Sequence, residues 1–259
     1  RTTVIGKSAL PLKLNPAPIN KTKYIRDSSI DLLLAKNSLK KNSTTEICAH
    51  RSNSLASAIR GMFASNCIEA DIVVRNGDIK VYHPPHKGND VLDIEDLFMI
   101  SKKHRGSLWI DAKNIDVPEN CLVLDQWFQN NITPGTVKQI LVEFPSATDF
   151  KNQQTIQCIK NLKSRGVVTS YYVPTNIGKD CLSKNEYLCS RFTFHLLLAL
   201  HYVDQISFDS ALLPLIQKQY LKGVRFNTWN VDPSDVAFLD EKNNFNMIIL
   251  NRPTDPNKL

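Results

Sequence analysis

Seven residues in the first half of the chain have types and spacings suited to chemistry: His50, Arg51, Glu69, Asp71, His83, Asp111 and Lys113. They occur in the short strings A-H-R, E-A-D, V-Y-H and I-D-A-K, each at or just beyond the end of an apolar run of strand length. A strand turns residues i and i+2 to one face, so Glu69 points with Asp71, and Asp111 with Lys113. Three carboxylates supply the hard oxygen ligands that Mg2+ or Ca2+ prefers, and without a cation between them their charges repel. Arg51, as a bidentate fork, and Lys113, as a point charge, suit a phosphate. His50 and His83 are then left to move protons, one from an attacking oxygen and the other to a leaving oxygen.

These side chains need elements that deliver them to one place. Strand-like runs fall at 46–50, 67–74, 107–113, 138–144, 167–173, 205–209, 224–231 and 246–251. Helical spacing fills the intervals at 54–65, 93–104, 119–130, 150–164, 186–203, 211–222 and 233–241. Strands alternating with helices imply parallel pairing through crossover helices. Nearly continuous apolar strands, such as CIEADIVV, QILVEF and NMIIL, imply burial on both faces. The pattern predicts an α/β fold of the closed (β/α)8 TIM-barrel type rather than an open doubly wound sheet. No G-x-G-x-x-G or G-x-x-x-x-G-K-[ST] string follows a strand, which disfavours the open-sheet nucleotide binders. In a barrel of this kind functional groups gather at the C-terminal strand ends, where the seven residues fall.

Weaker candidates lie further along. Trp229, in F-N-T-W-N-V, reads equally as a pocket wall and as core, while Glu143, Tyr171, Asp209 and Asn251 fall near strand ends and read as lining of the mouth. His86, His104, His195 and His201 read as surface or packing residues. Residues 84–92 and 174–185 are loops positioned to cover a site.

The 259 residues, 42% hydrophobic and 22% charged, suit one large domain with a substantial core. The longest apolar runs, such as 194–200, fall far short of the roughly 20 residues a membrane span needs. The formal charge of +7 is uneven: residues 1–45 hold nine Lys/Arg against two Asp, and the rest is balanced at 23 of each sign. The excess therefore belongs to a basic N-terminal extension (1–45, with one helix over 28–41), not to a domain at 46–259. A nucleic-acid partner is not expected, because its basic footprint would lie on the folded body. The extension reads first as a solvated linker and second as a contact for an anionic membrane surface. The start at Arg1 suggests a processed or truncated end.

The six cysteines form no C-x-x-C pair, so neither a zinc site nor a thioredoxin-like motif is indicated. Cys48 and Cys67, inside strand runs, are expected to be small core residues. Cys181 and Cys189 share a more polar segment that suits a disulfide. An exported, periplasmic or membrane-associated setting is favoured over the cytoplasm.

The strings resemble those of the glycerophosphodiester phosphodiesterase superfamily, the phospholipase-C-like barrels. A-H-R at 49–51, I-E-A-D at 68–71, V-Y-H at 81–83, I-D-A-K at 110–113, T-W-N-V at 228–231 and N-R-P at 251–253 follow that family's order. The resemblance implies metal carboxylates at Glu69, Asp71 and Asp111, a catalytic pair at His50 and His83, a phosphate-side Lys113, and a barrel tryptophan at Trp229. It implies hydrolysis of a glycerophosphodiester or lysophospholipid-like P–O bond with one divalent cation, Mg2+ or Ca2+. Three departures stand beside it. Ser52 replaces the Gly that follows His-Arg, Asn53-Ser54 leads onward without the acid-bearing P-E-N-T stretch, and Pro84-Pro85 replaces the Asp after the second histidine. The A-H-x-x-N-S and H-P-P details are similar to the menorin branch, which makes a non-catalytic binding module on the same barrel the alternative. Spider-type sphingomyelinases D share the layout, but their disulfide-bound catalytic loop has no counterpart in the sequence. A barrel glycosidase is disfavoured, since its carboxylate pair needs neither a metal triad nor a lysine alongside.

Overall fold

The computed structural model describes residues 28–85, 92–133, 135–182, 186–219, 221–242 and 244–251. Residues 1–27, His86, most of the candidate cover at 84–92, and Arg252 and Pro253 of the N-R-P string lie outside the described residues.

A helix, α1 (Ser28–Ser38), precedes the first strand, β1 (Glu46–Cys48). It is followed by α2 (Leu55–Ser65), β2 (Cys67–Arg75), β3 (Asp78–Val81), β4 (Leu92–Asp93) and α3 (Ile94–His104). Alternation then becomes regular: β5 (Ser107–Ala112), α4 (Pro118–Asn131), β6 (Gln139–Phe144), α5 (Gln153–Ser164) and β7 (Val168–Tyr172). Two helices, α6 (Thr175–Leu182) and α7 (Glu186–Tyr202), lead to β8 (Gln205–Asp209). The chain closes with α8 (Leu213–Gln217), β9 (Arg225–Val231), α9 (Val236–Glu241) and β10 (Phe245–Leu250). The stretch expected as a loop at 174–185 thus contains α6, and the helix expected at 211–222 is the shorter α8, begun at its Pro214 after a 3-10 turn over Ser210–Leu212.

All ten strands join one curled sheet, in the order β1-β10-β9-β8-β7-β6-β5-β2-β3-β4. From β1 to β2 every pairing is parallel. The two ends of that parallel run also meet. Ala49 bridges Ile68, its N–H donating to the Cys67 carbonyl at 2.9 Å and its carbonyl accepting from the Glu69 N–H at 2.8 Å. Helix α2 packs over this junction at Gly61, where a Cβ would fall 2.6 Å from that of Ala49.

The antiparallel pair β3–β4 departs from the expected alternation. Asn76 (φ 53) and Gly77 (φ 83) reverse the chain after β2, the left-handed turn that an Asn-Gly step favours. Strand β3 then runs back along β2, with Val81 beside Ile72, and carries His83 back toward Asp71.

The sheet divides the core in two. A large cluster including Phe128, Phe144, Leu162, Phe208 and Phe245 packs strands against helices, and a small inner one holds Cys48, Cys67, Trp109, Leu141, Met247 and Ile249. The expectation that Cys48 and Cys67 are plain core residues is corrected: they form a disulfide across β1 and β2, with Cα atoms 4.4 Å apart. Both face the interior from adjoining strand ends, which puts their sulfurs within bonding reach. Cys121–Cys158 ties α4 to α5, and Cys181–Cys189 ties α6 to α7, leaving no free cysteine. The helix of the N-terminal extension is docked on the body. Leu32 and Ala35 of α1 are buried, and Asp240 accepts from the Lys40 N–H at 2.8 Å and from the Ser43 hydroxyl. Among the described residues no helix is long and apolar enough to cross a membrane.

Candidate active site

The middle of β2 and the C-terminal end of β5 put Asp71 directly beside Asp111 in register, with Glu69 two residues earlier on the same face. Their carboxylate oxygens lie within 4.8 Å of one another. Glu69 and Asp71 are 3% and 1% exposed, which makes three adjacent charges expensive unless they are neutralised. Lys113, immediately after β5, extends its Nζ to 2.8 Å from Asp71 Oδ1 and also hydrogen-bonds Asp111.

The electrostatics follow from this crowding. Burial, then repulsion from Asp71 and Asp111, pushes the Glu69 carboxyl well above the usual range against the hydrogen bond from the Arg51 N–H. Burial also drives Asp111 upward, and Lys113 only partly offsets it. At Asp71 burial acts in the same direction, but the attraction and hydrogen bond of Lys113, with a bond from Asn53, outweigh it and hold the group low. Lys113 is itself disfavoured by burial, yet its two carboxylate partners raise it above the ordinary lysine value. One ammonium cannot balance three carboxylates, so an oxygen-preferring divalent cation fits the donor set.

The A-H-R string turns sharply over this cluster. Arg51 takes the left-handed conformation (φ 50), and its N–H donates to Glu69 Oε2 at 2.6 Å. Because Arg51 makes that turn, Ser52 does not need a glycine's freedom. It is buried, with its N–H donating to the Glu69 carbonyl at 2.7 Å. His50 places Nε2 3.9 Å from Glu69 Oε2. The Arg51 guanidinium lies 3.1 Å from His83 Nε2, joining the first strand to the hairpin.

These seven residues line one cleft of about 260 Å3 with Trp109, Glu143, Tyr172, Trp229, Asn230 and Ile249. Trp229 is half-buried and stacks on Tyr172, ring centres 5.1 Å apart and planes at 14°, so it both walls the cleft and caps the inner core. Among the weaker candidates, Glu143 faces the cleft, but Tyr171 does not. Side chains alternate along β7, so Tyr171 points outward, against Phe150, and Tyr172 takes the inner position. Asp209 caps the 3-10 turn and accepts from Asn230 Nδ2 at 2.9 Å, and Asn251 is exposed, its N–H donating to the Val231 carbonyl. Asn53 was not among the candidates. It clasps Asp71 twice, Nδ2 to Oδ2 at 2.6 Å and Oδ1 from the Asp71 N–H at 2.9 Å. Its place in the helix-entry string was the available signal.

No family model and no curated protein sequence matches the chain. Solved structures do. A phosphodiesterase from Oleispira antarctica, bound to its product sn-glycerol-3-phosphate, aligns with 85% of this chain and 96% of its own at TM-score 0.55 and 9% identity. A candidate glycerophosphoryl diester phosphodiesterase from Silicibacter pomeroyi aligns at TM-score 0.57 and 12% identity, over 85% and 94% of the two chains. A calcium-dependent phosphoinositol-specific phospholipase C from a Pseudomonas species aligns at 0.51 and 13%, over 84% and 94%. In fold, the chain resembles the glycerophosphodiester phosphodiesterases and phospholipase-C-like phosphodiesterases.

Proposed function

We propose that this chain is a metal-dependent phosphodiesterase for a small glycerophosphodiester or lysophospholipid-like substrate, on a (β/α)8 barrel closed where Ala49 meets Ile68. The observation that carries the reading is the convergence of three carboxylates, two histidines and two cationic side chains in one cleft. Glu69, Asp71 and Asp111 would hold Mg2+ or Ca2+, which when bound polarises phosphoryl oxygens and offsets their developing charge. Lys113, fixed by Asp71 and Asp111, presents a positive charge toward a phosphate oxygen. Arg51 offers a second contact from the rim. His50 and His83 would share the proton transfers, one taking the proton from the attacking oxygen and the other delivering one to the leaving alcohol. The attacking oxygen is water, or a neighbouring hydroxyl where the substrate carries one. Three disulfides suit an oxidising compartment outside the cytosol.

The test is hydrolysis of a panel of glycerophosphodiesters and lysophospholipids with Mg2+, Ca2+ or EDTA, beside Glu69→Ala. Cation-dependent turnover that disappears in the variant supports the reading. A chain that binds the cation but turns over nothing in the panel would refute it.

A further inference from the structure

Two buried groups in the cleft lie outside every string that carried the resemblance. Glu143 on β6 is in register with Asp111 and turns its carboxyl to the same face, 2% exposed. Its Oε2 is buried with no hydrogen-bond partner among the described residues. Trp109, two residues before Asp111 on β5, is likewise buried, and its Nε1–H has no partner among the described residues. Both side chains line the cleft. Buried polar groups are almost always paired, so an unpaired carboxyl oxygen and an unpaired indole N–H in one cavity call for a ligand that satisfies both.

The carboxyl is held in place. Ser207 Oγ lies 2.6 Å from Ser170 Oγ, Asn227 Nδ2 donates to Ser170 Oγ at 3.2 Å, and Asn246 Nδ2 donates to Asn227 Oδ1 at 3.2 Å. This buried chain runs through the interior to Ser207, whose hydroxyl influences the Glu143 carboxyl, a rigid support beside a recognition group.

We infer that Glu143 and Trp109 form a hydroxyl-binding subsite selecting phosphodiesters whose alcohol part carries a free hydroxyl, an inference that rests on the phosphodiesterase reading above. The chemistry narrows the class. A hydroxyl both donates and accepts, so it pairs with the Glu143 carboxyl in either protonation state while accepting from Trp109, whereas an ammonium cannot accept and an alkyl group does neither.

The experiment compares kcat/KM for a glycerol phosphodiester and its hydroxyl-free propyl counterpart, in wild type, Glu143→Leu and Trp109→Phe. Wild type is expected to favour the glycerol diester by about 10- to 100-fold. Glu143→Leu should bring the ratio near one, and Trp109→Phe should lower it by about 3- to 10-fold. Loss of both activities in parallel, with the ratio unchanged, would mark a structural role and overturn the subsite. So would wild-type ratios in both variants, as a bound water only would give. If Glu143→Leu does not fold, Trp109→Phe decides alone. If wild type turns over neither diester, the phosphodiesterase reading fails separately. Calorimetric titration of the metal-loaded protein with glycerol 3-phosphate and propyl phosphate then tests the subsite, which equal affinities, or no binding of either, would overturn.

Discussion

Removing the charge of Lys113 should expose how the carboxylate cluster is held together. In Lys113→Met the ammonium that sits 2.8 Å from Asp71 Oδ1 and bonds Asp111 is replaced by a thioether of similar length. Breaking a buried ion pair by deleting one partner costs about 3–5 kcal/mol. Two features lower that figure here: the lysine side chain is 25% exposed, and Glu69 and Asp111 can take up protons instead of remaining charged. A cost of about 2–3 kcal/mol is therefore expected, or about 5–10 °C in Tm for a chain of this length. The assay is thermal unfolding followed by circular dichroism in EDTA at about pH 7.5 and again near pH 5.5. The deficit should be largest at the higher pH, where the carboxylates repel most, and should shrink at the lower. A shift under about 2 °C at both values would refute the view that Lys113 holds the cluster in its charged state.

Further outcomes follow from individual contacts. Glu69, Asp111 and Glu143 are held above the usual carboxylate range, so the folded chain binds more protons than the unfolded one between that range and their raised values. In EDTA, stability should therefore fall as pH rises through this window and recover as pH falls, as melts between about pH 5 and 8 would show. Asp71 acts oppositely: its contribution is present above the unfolded carboxylate pKa and is lost as pH drops through its lowered folded value. Asn53→Ala removes both bonds to Asp71 and should weaken cation affinity by about 10- to 100-fold in calorimetric titration. Replacing both Cys48 and Cys67 by Ala should cost about 3 kcal/mol in denaturant unfolding, given their separation of 19 residues. Thiol titration of the denatured protein should find no free thiol before reduction and six after it.

The parts of the site legible in the sequence are those governed by one strand's own periodicity. Glu69 with Asp71, and Asp111 with Lys113, share a face because i and i+2 always do, and β2 and β5 bring the pairs together. What escaped depends on partners distant in sequence or on a single-residue choice of face. The Cys48–Cys67 disulfide requires knowing that β1 adjoins β2. Tyr171 was chosen over Tyr172 because both sit at a strand end, and only the position of Ser170 fixes which face is inward. The hairpin that returns His83 is signalled locally by Asn76-Gly77, but it breaks the strand–helix alternation that the rest of the chain follows. Glu143 was placed near the mouth, but its orphaned oxygen becomes visible only with side chains in place.

The most direct measurement is 31P NMR of a glycerophosphodiester incubated with wild type, His50→Ala and His83→Ala under saturating Mg2+ or Ca2+, with bound metal assayed in each. Wild type should convert the diester to a phosphomonoester or a cyclic phosphate. Each histidine variant should retain the cation yet react at least about 100-fold more slowly. Variants as fast as wild type, or an intact diester in the wild-type sample with the cation bound, would contradict a cation-and-histidine phosphodiesterase centre.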